Sequence, residues 1–395
     1  MSWSFETSLL VFLVIIFLSQ AIATLTQARL SLPLMLGIIC IIGFGSGFFP
    51  ADFLVKSKMK DVGFIAFNVL MVHSGTTLDM ERLKSAWKPV VFSAIVVLLL
   101  TLCIAVGLKP VLGRQLAMLA PGPVIGGGAA CALASNFLIG RDIMLSPFPW
   151  MIFMAQGLFS VPVFAWAVKQ ECRRQIQNGT HAIAPFEAEA DSAGIILPRK
   201  KLCDRIPQRY RTTSFYLSSL MAVSVFNRWL HAIFLHGSGI NPAVTALLFG
   251  MLFGQLGWIE RDPLSKSDSM GFLMLGLMAL MANSFAQVPL YAILKLVVPT
   301  LFVVAFGTLV LVLVGLIVGG VIHNSTFKSL ALALSCMVGF PFSGIIAKRI
   351  VASALKNERP TAILVSELLL PLEVSSLLVT NFLSIFIVGL VAAWL

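Results

Sequence analysis

The chain has 395 residues, of which 58% are hydrophobic and only 11% charged, with a mean hydropathy of +0.96. Soluble domains carry about 25% charged residues, so this composition excludes a soluble globular protein and marks a polytopic membrane protein. The net charge of +11 is not a nucleic-acid signal: nine of the 28 Lys and Arg lie between Lys169 and Thr213, with no basic-aromatic surface pattern, as a cytoplasmic loop obeying the positive-inside rule would hold them.

Taken in order, the apolar segments predict helices over about 8–24, 31–50, 62–78, 89–108 and 146–168. Ser8 to Ala23 reads as an uncleaved first helix, because no Lys or Arg precedes Arg29. Beyond the polar segment, helices are predicted over 213–233, 240–257, 269–287, 290–321 and 361–395. The last run is longer than a bilayer core of about 30 Å requires, and Pro371 is its expected bend.

Two apolar stretches, 115–139 and 327–355, are full of helix breakers. The first holds Pro121, Gly122, Pro123 and Gly126 to Gly128; the second holds Gly339, Pro341 and Gly344. Non-helical backbone at membrane depth persists only where protein buries it or water wets it. Each stretch is therefore a poor spanning helix or a re-entrant hairpin. Re-entrant hairpins place more of the Lys and Arg on the central-loop side, so they are the expected form. Landmarks also recur in nearly one register: Leu32-Pro33 with Asn241-Pro242, Gly63-Phe64 with Gly271-Phe272, and Gly127 with Gly339. The expected fold is all-α, with two inverted five-span repeats that each carry a re-entrant hairpin. The N-terminal repeat is 1–168 with hairpin 115–139, the cytoplasmic linker 169–212, and the C-terminal repeat 213–395 with hairpin 327–355.

Interrupted segments at matching places in two halves point to a transporter's binding site. The backbone of Gly126, Gly127, Gly128, Gly339 and Gly344 offers N–H and C=O groups freed from helix, which hold an anion or a small cation. Ser135, Asn136 and Ser343 are candidate side-chain ligands for the solute. Arg349 either attracts an anionic solute or anchors the cytoplasmic side. Ser74, Thr76 and Thr77 either lend hydroxyls to a coupling ion or cap their own helix. Glu367 and Glu373 are the most membrane-embedded carboxylates, and an ionisable group at that depth is a functional candidate. Glu373, with Asn381 two turns on, is the preferred coupling-ion group. The six Cys form no Cys-x-x-Cys pair, and the five His have no metal-ligand spacing. Zinc-protease, nucleophile-elbow and phosphate-loop motifs are absent, so no enzyme, metal site or cofactor is expected.

The order of parts resembles the bacterial sodium/glutamate symporter family over nearly the whole chain. The resemblance rests on the Pro33 helix start, the block from Gly63 to Lys84 containing Ser74-Gly75-Thr76-Thr77, and the glycine-rich first hairpin. It continues from Met278-Ala279-Leu280-Met281 through Gly339 to Ala362-Ile363-Leu364-Val365 and Pro371. It implies inverted repeats with hairpins, scaffold and transport domains, elevator-type alternating access, and a homodimer. The tips depart from the family: its Gly-Gly-His-Gly-Thr is here Gly126-Gly127-Gly128-Ala129-Ala130. Its Gly-Ala-Thr-Pro-Thr is here Gly339-Phe340-Pro341-Phe342-Ser343. Val379 and Thr380 fall near the position of its Asp.

The expected function is ion-coupled secondary transport of a small anionic or zwitterionic solute such as glutamate, with sodium as the coupling ion. Proton-coupled exchange through Glu373 and a non-transporting scaffold or sensor are the alternatives. The expected partners are the solute, the ion, the lipid bilayer and a second copy of the chain, with no nucleic acid. The expected setting is a bacterial inner membrane, with the central loop cytoplasmic.

Overall fold

The computed structural model describes residues 3–26, 30–78, 84, 86–177, 203, 206–235, 241–321, 325–339, 342–354 and 368–394. Asp79, Pro341, Glu367, the acidic part of the linker at 186–193 and the start of its basic part lie outside these residues. Among the described residues the chain is helical throughout and contains no strand. Five helical segments are long and apolar enough to cross a membrane: Phe5–Leu25, Trp87–Gly107, Ile143–Gln177, Leu290–Val321 and Leu370–Val391. Five shorter apolar helices accompany them. Large apolar side chains such as Leu98, Val298 and Ile317 face outward, as in a helical protein embedded in a membrane.

The first half runs α1 (Phe5–Leu25), α2 (Leu32–Gly45), the short α3 (Phe53–Lys56) and α4 (Met59–Thr77). Then follow α5 (Trp87–Gly107), α6 (Lys109–Leu119), α7 (Pro121–Ile125), α8 (Gly128–Ile139) and α9 (Phe148–Gln177). The second half runs α10 (Thr213–Phe234), α11 (Pro242–Leu256), the short α12 (Pro263–Lys266), α13 (Met270–Ala286) and α14 (Leu290–Val321). It ends with α15 (Thr326–Val338), α16 (Phe342–Ala354), α17 (Leu370–Leu378), a π-helical turn (Val379–Leu383) and α18 (Ser384–Trp394).

Local chemistry explains the paired starts of α2 and α11. Ser31 Oγ accepts the N–H of Leu34 and Asn241 Oδ1 that of Ala243, each followed by a Pro in the first turn. Side-chain caps satisfy orphan donors, and Pro at the helix start loses no bond. α2 ends at Gly45 rather than near 50, because the chain turns through Ser46–Asp52 into α3.

The helices pack in two groups. α4 lies against α11 and α13, α2 against α13, and α1 and α10 flank these. The second group joins α9, α14 and α15, with α5 against α14 and α18 against α7 and α8. The tightest crossing is between α4 and α11. A Cβ on Gly75 would overlap the carbonyl oxygen of Leu247, and one on Gly250 that of Val72. Gly250 and Gly254 form a small-xxx-small ridge on which α4 rests, backbone to backbone.

Polar contacts join several helix ends. His73 Nε2, near the end of α4, is 3.6 Å from Asp262 Oδ1 at the start of α12. Thr213 Oγ1, opening α10, donates to the Ser267 carbonyl at 3.3 Å. Ser375 Oγ of α17 donates to the Pro89 carbonyl in the first turn of α5 at 3.4 Å. Ser325, at the entry to α15, bonds the Glu171 carboxylate near the end of α9. The far end of α16 lies at that same end of α9, where Lys169, Arg173 and Gln177 line a cleft with Arg349 and Ser353.

One expectation is corrected here. The segment from Lys169 does not open as linker: α9 continues to Gln177. Glu171 holds that last part in helix by accepting from Arg174 at 3.1 Å and Gln175 at 3.0 Å, one turn on. Pro371 follows closely on a π-helical pair at 368–369, and a second π turn stands at Val379–Leu383.

Candidate functional site

The first broken stretch opens between α7 and α8. Gly126 and Gly127 have extended backbone, with φ of −100° and −85°. The Gly127 carbonyl accepts the N–H groups of Ala130 at 3.1 Å and Cys131 at 3.3 Å, which starts α8. No side chain caps this start. The first N–H groups of α8 therefore lack an earlier turn to bond.

The second stretch breaks at Gly339, whose φ of +78° and ψ of 162° lie in a region essentially restricted to glycine. Its N–H bonds the Ser335 carbonyl and its own carbonyl accepts from Ser343 N, both at 3.0 Å. Gly339 thus stands at the end of α15 and accepts a bond from the first turn of α16.

Both breaks meet the last helix at one residue. A Cβ added to Gly127 would lie 3.1 Å from Thr380 Cγ2, and one added to Gly339 would lie 3.2 Å from Thr380 Oγ1. Thr380 belongs to the π turn, where the regular i→i−4 ladder gives way to i→i−5 bonds, a form that recurs at functional sites. Next to it Asn381 Nδ2 lies 3.5 Å from Thr77 Oγ1 at the end of α4. Three separate parts of the chain, drawn from both helix groups, therefore meet the last helix at Thr380 and Asn381. The groups available there are hydroxyls, a carboxamide and uncapped main chain, which suit a small solute or a weakly held cation better than covalent chemistry.

The sequence-expected residues divide by position. Gly127, Gly339, Thr77 and Asn381 come together at this junction. Gly126 stands beside them against Ser384, and Gly128 packs on Leu277. Ser74 is buried one turn down α4, where its carbonyl accepts from Thr77 Oγ1 at 2.8 Å, and Thr76 donates to the His73 carbonyl at 2.7 Å. These two hydroxyls cap their own helix, and only Thr77 also reaches across. Ser135 is buried and Asn136 half-buried on α8. Ser343 is fully buried, and its Oγ has no hydrogen-bond partner.

Three residues stand apart. Gly344 faces Glu373, whose Oε1 would be 3.2 Å from an added Cβ. Glu373 is ion-paired to Lys348 at 2.6 Å, on the outer arm α16 rather than with Asn381. Arg349 is exposed and lines the cleft at the end of α9. Sequence reasoning underweighted Thr380 and missed Glu171. The signal for Thr380 was its position, at the place of an acid in the family resembled. For Glu171 no local signal existed, because its burial depends on Ser325, far along the chain.

The chain matches no protein-family model and no curated protein sequence.

Proposed function

We propose that the protein is a secondary transporter whose solute binds where the two broken stretches meet Thr380. The observation that carries this reading is the convergence of Gly127 and Gly339 on one residue of a π turn, with Thr77 and Asn381 beside it. Irregular backbone from two halves of a chain, meeting where long apolar helices cross, is the arrangement that secondary transporters use at the membrane midplane. In this reading both stretches are re-entrant hairpins within inverted five-span repeats. The second is supported by its two ends, which reach the same end of α9.

The solute is small and anionic or zwitterionic, glutamate being the first candidate, held by hairpin N–H groups and by Ser343. The coupling ion is sodium, held by hydroxyl, carboxamide and main-chain oxygens at Thr77, Thr380 and Asn381. Such neutral oxygens suit a hard cation. Alternating access comes from motion of the hairpin group against the α4–α11–α13 group, as a homodimer in a bacterial inner membrane. A proton-coupled version through Glu373, which is ion-paired to Lys348, is the second reading.

Uptake of labelled glutamate into proteoliposomes, with and without an inward sodium gradient, tests the proposal. Sodium-driven accumulation is expected in the native protein, with loss in Thr380→Val and Asn381→Leu. Accumulation that ignores sodium but collapses with ΔpH would replace sodium by protons. No accumulation of any amino or organic acid by a folded, inserted preparation would overturn transport.

A further inference from the structure

We infer that the cleft between the end of α9 and the outer arm α16 is a binding site for the phosphate headgroup of an anionic phospholipid. The cleft has a volume of about 760 Å³ and is lined by Lys169, Arg173, Ile176, Arg349, Ile350 and Ser353, among others. It brings three cations together from two helices. None of the three is ion-paired among the described residues, whereas neighbouring Arg174 is committed to Glu171 and Lys348 to Glu373. Three like charges around one concavity repel each other unless an anion joins them, and a phosphodiester matches the fork geometry of arginine.

The position selects a lipid over a soluble anion. Trp166, Lys169, Arg173 and Ile176 follow one another at helical spacing on one stripe of α9. Trp166 is 49% exposed and packs edge-on against Phe327 of α15 at 5.5 Å between centroids. An exposed Trp one turn inside a Lys is the pattern of a helix crossing the headgroup level. Basic pockets between membrane helices on the cytoplasmic side are suited to anionic headgroups. Ile176 and Ile350 supply apolar wall beside the charges. A seated lipid joins α9 to α16, and so holds the outer arm of the second stretch in place. This role is independent of what solute, if any, binds near Thr380.

The test uses the full chain in a zwitterionic detergent. Native mass spectrometry and thermal unfolding are followed with added phosphatidylglycerol, with phosphatidylcholine, and with inorganic phosphate. One retained phosphatidylglycerol per chain and a raised melting temperature are expected, with neither other addition matching them. A cation near an anionic surface contributes about fivefold to affinity, so Arg173→Gln with Arg349→Gln should lose about thirtyfold. Ser353→Trp, which fills the cleft and keeps all three cations, should lose binding too. Lys88→Gln, removing an exposed cation elsewhere, should not. Equal lipid retention in the double variant and in Ser353→Trp would overturn the site. Stabilisation by inorganic phosphate as large as that by lipid would overturn the lipid assignment.

Discussion

The two broken stretches carry the same kind of interruption but are held differently. In the first, every residue of α7 is buried and so is most of α8, between α9, α13 and α18. In the second, the inner arm α15 is buried without a gap from Ser329 to Val338. The outer arm α16 buries only Ser343, Gly344, Ala347 and Val351 and exposes Phe342, Ile345, Lys348, Arg349 and Ser353. One stretch is clamped on both sides; the other has one clamped arm and one that leans on its neighbours. Arms with few buried apolar contacts open at lower free energy. The second stretch therefore has the lower local stability of the two.

The largest expected effect is at the clamped stretch. Gly126→Leu places a Cβ 2.5 Å from that of Ala130 and 2.7 Å from the Gly122 carbonyl, where no neighbour can yield. Overpacking of that kind costs about 3 kcal/mol, read as a lowered unfolding midpoint together with lost uptake. A small midpoint shift would mean that α7 is not clamped. Glu171→Ala comes next. It strips the partner from Ser325, Gln175 and Arg174 at the entry to the second stretch, at about 2 kcal/mol. Hydrogen exchange should rise in α15 and α16 and not in α7 and α8; equal rises would abolish the contrast.

Alanine at the two tips separates backbone from contact. Gly339→Ala forces a non-glycine residue into a glycine-only conformation, at about 1–3 kcal/mol. Gly127→Ala keeps an ordinary extended backbone and only presses on the Thr380 methyl, so its stability cost is below about 1 kcal/mol. Both should impair uptake; similar stability losses would show that Gly339 does not need its left-handed geometry.

The smallest effect lies outside both stretches and serves as their control. Glu260, in the loop after α11, accepts from Tyr216 at 2.7 Å and Lys266 at 2.9 Å and is ion-paired to Arg211. Burial raises its pKa, but those hydrogen bonds and the charges of Lys266 and Arg211 outweigh burial and hold it below the ordinary value of 4.5. A lowered folded pKa means that the stabilisation is complete above the ordinary value and fades as pH falls through the folded one. Unfolding midpoints measured across the acid range should fall less in Glu260→Gln than in the native chain.

Much of this was legible in the residues. Gly126 to Gly128 and Gly339 announce their breaks because glycine and proline act locally, and the caps at Ser31 and Asn241 announce theirs for the same reason. The long apolar helices follow from composition alone. Glu171 was not legible, since a charge in a Lys- and Arg-rich segment looks solvated until Ser325 is seen to meet it. Nor was the π turn. Val379–Leu383 has the composition of any apolar helix, and its extra residue follows from the need to put Thr380 against two tips at once. Arg349 reads as a solute ligand by proximity to Ser343, yet six residues of helix turn it away from Ser343 and into the cleft beside Lys169 and Arg173.

The π turn has a consequence for the last helix as a whole. One surplus residue rotates everything after it by about 100° relative to a continuous helix. Glu373, before it, is ion-paired to Lys348 of α16; Val388 and Gly389, after it, rest on Gly122 of α7 and Val244 of α11. The helix is thus two cams on one shaft, keyed at an offset. Deleting any single residue between 379 and 383 would leave an unbroken, better-bonded helix whose two ends could not both mesh, and homologous chains should show a one-residue gap here only where the tip glycines are also gone.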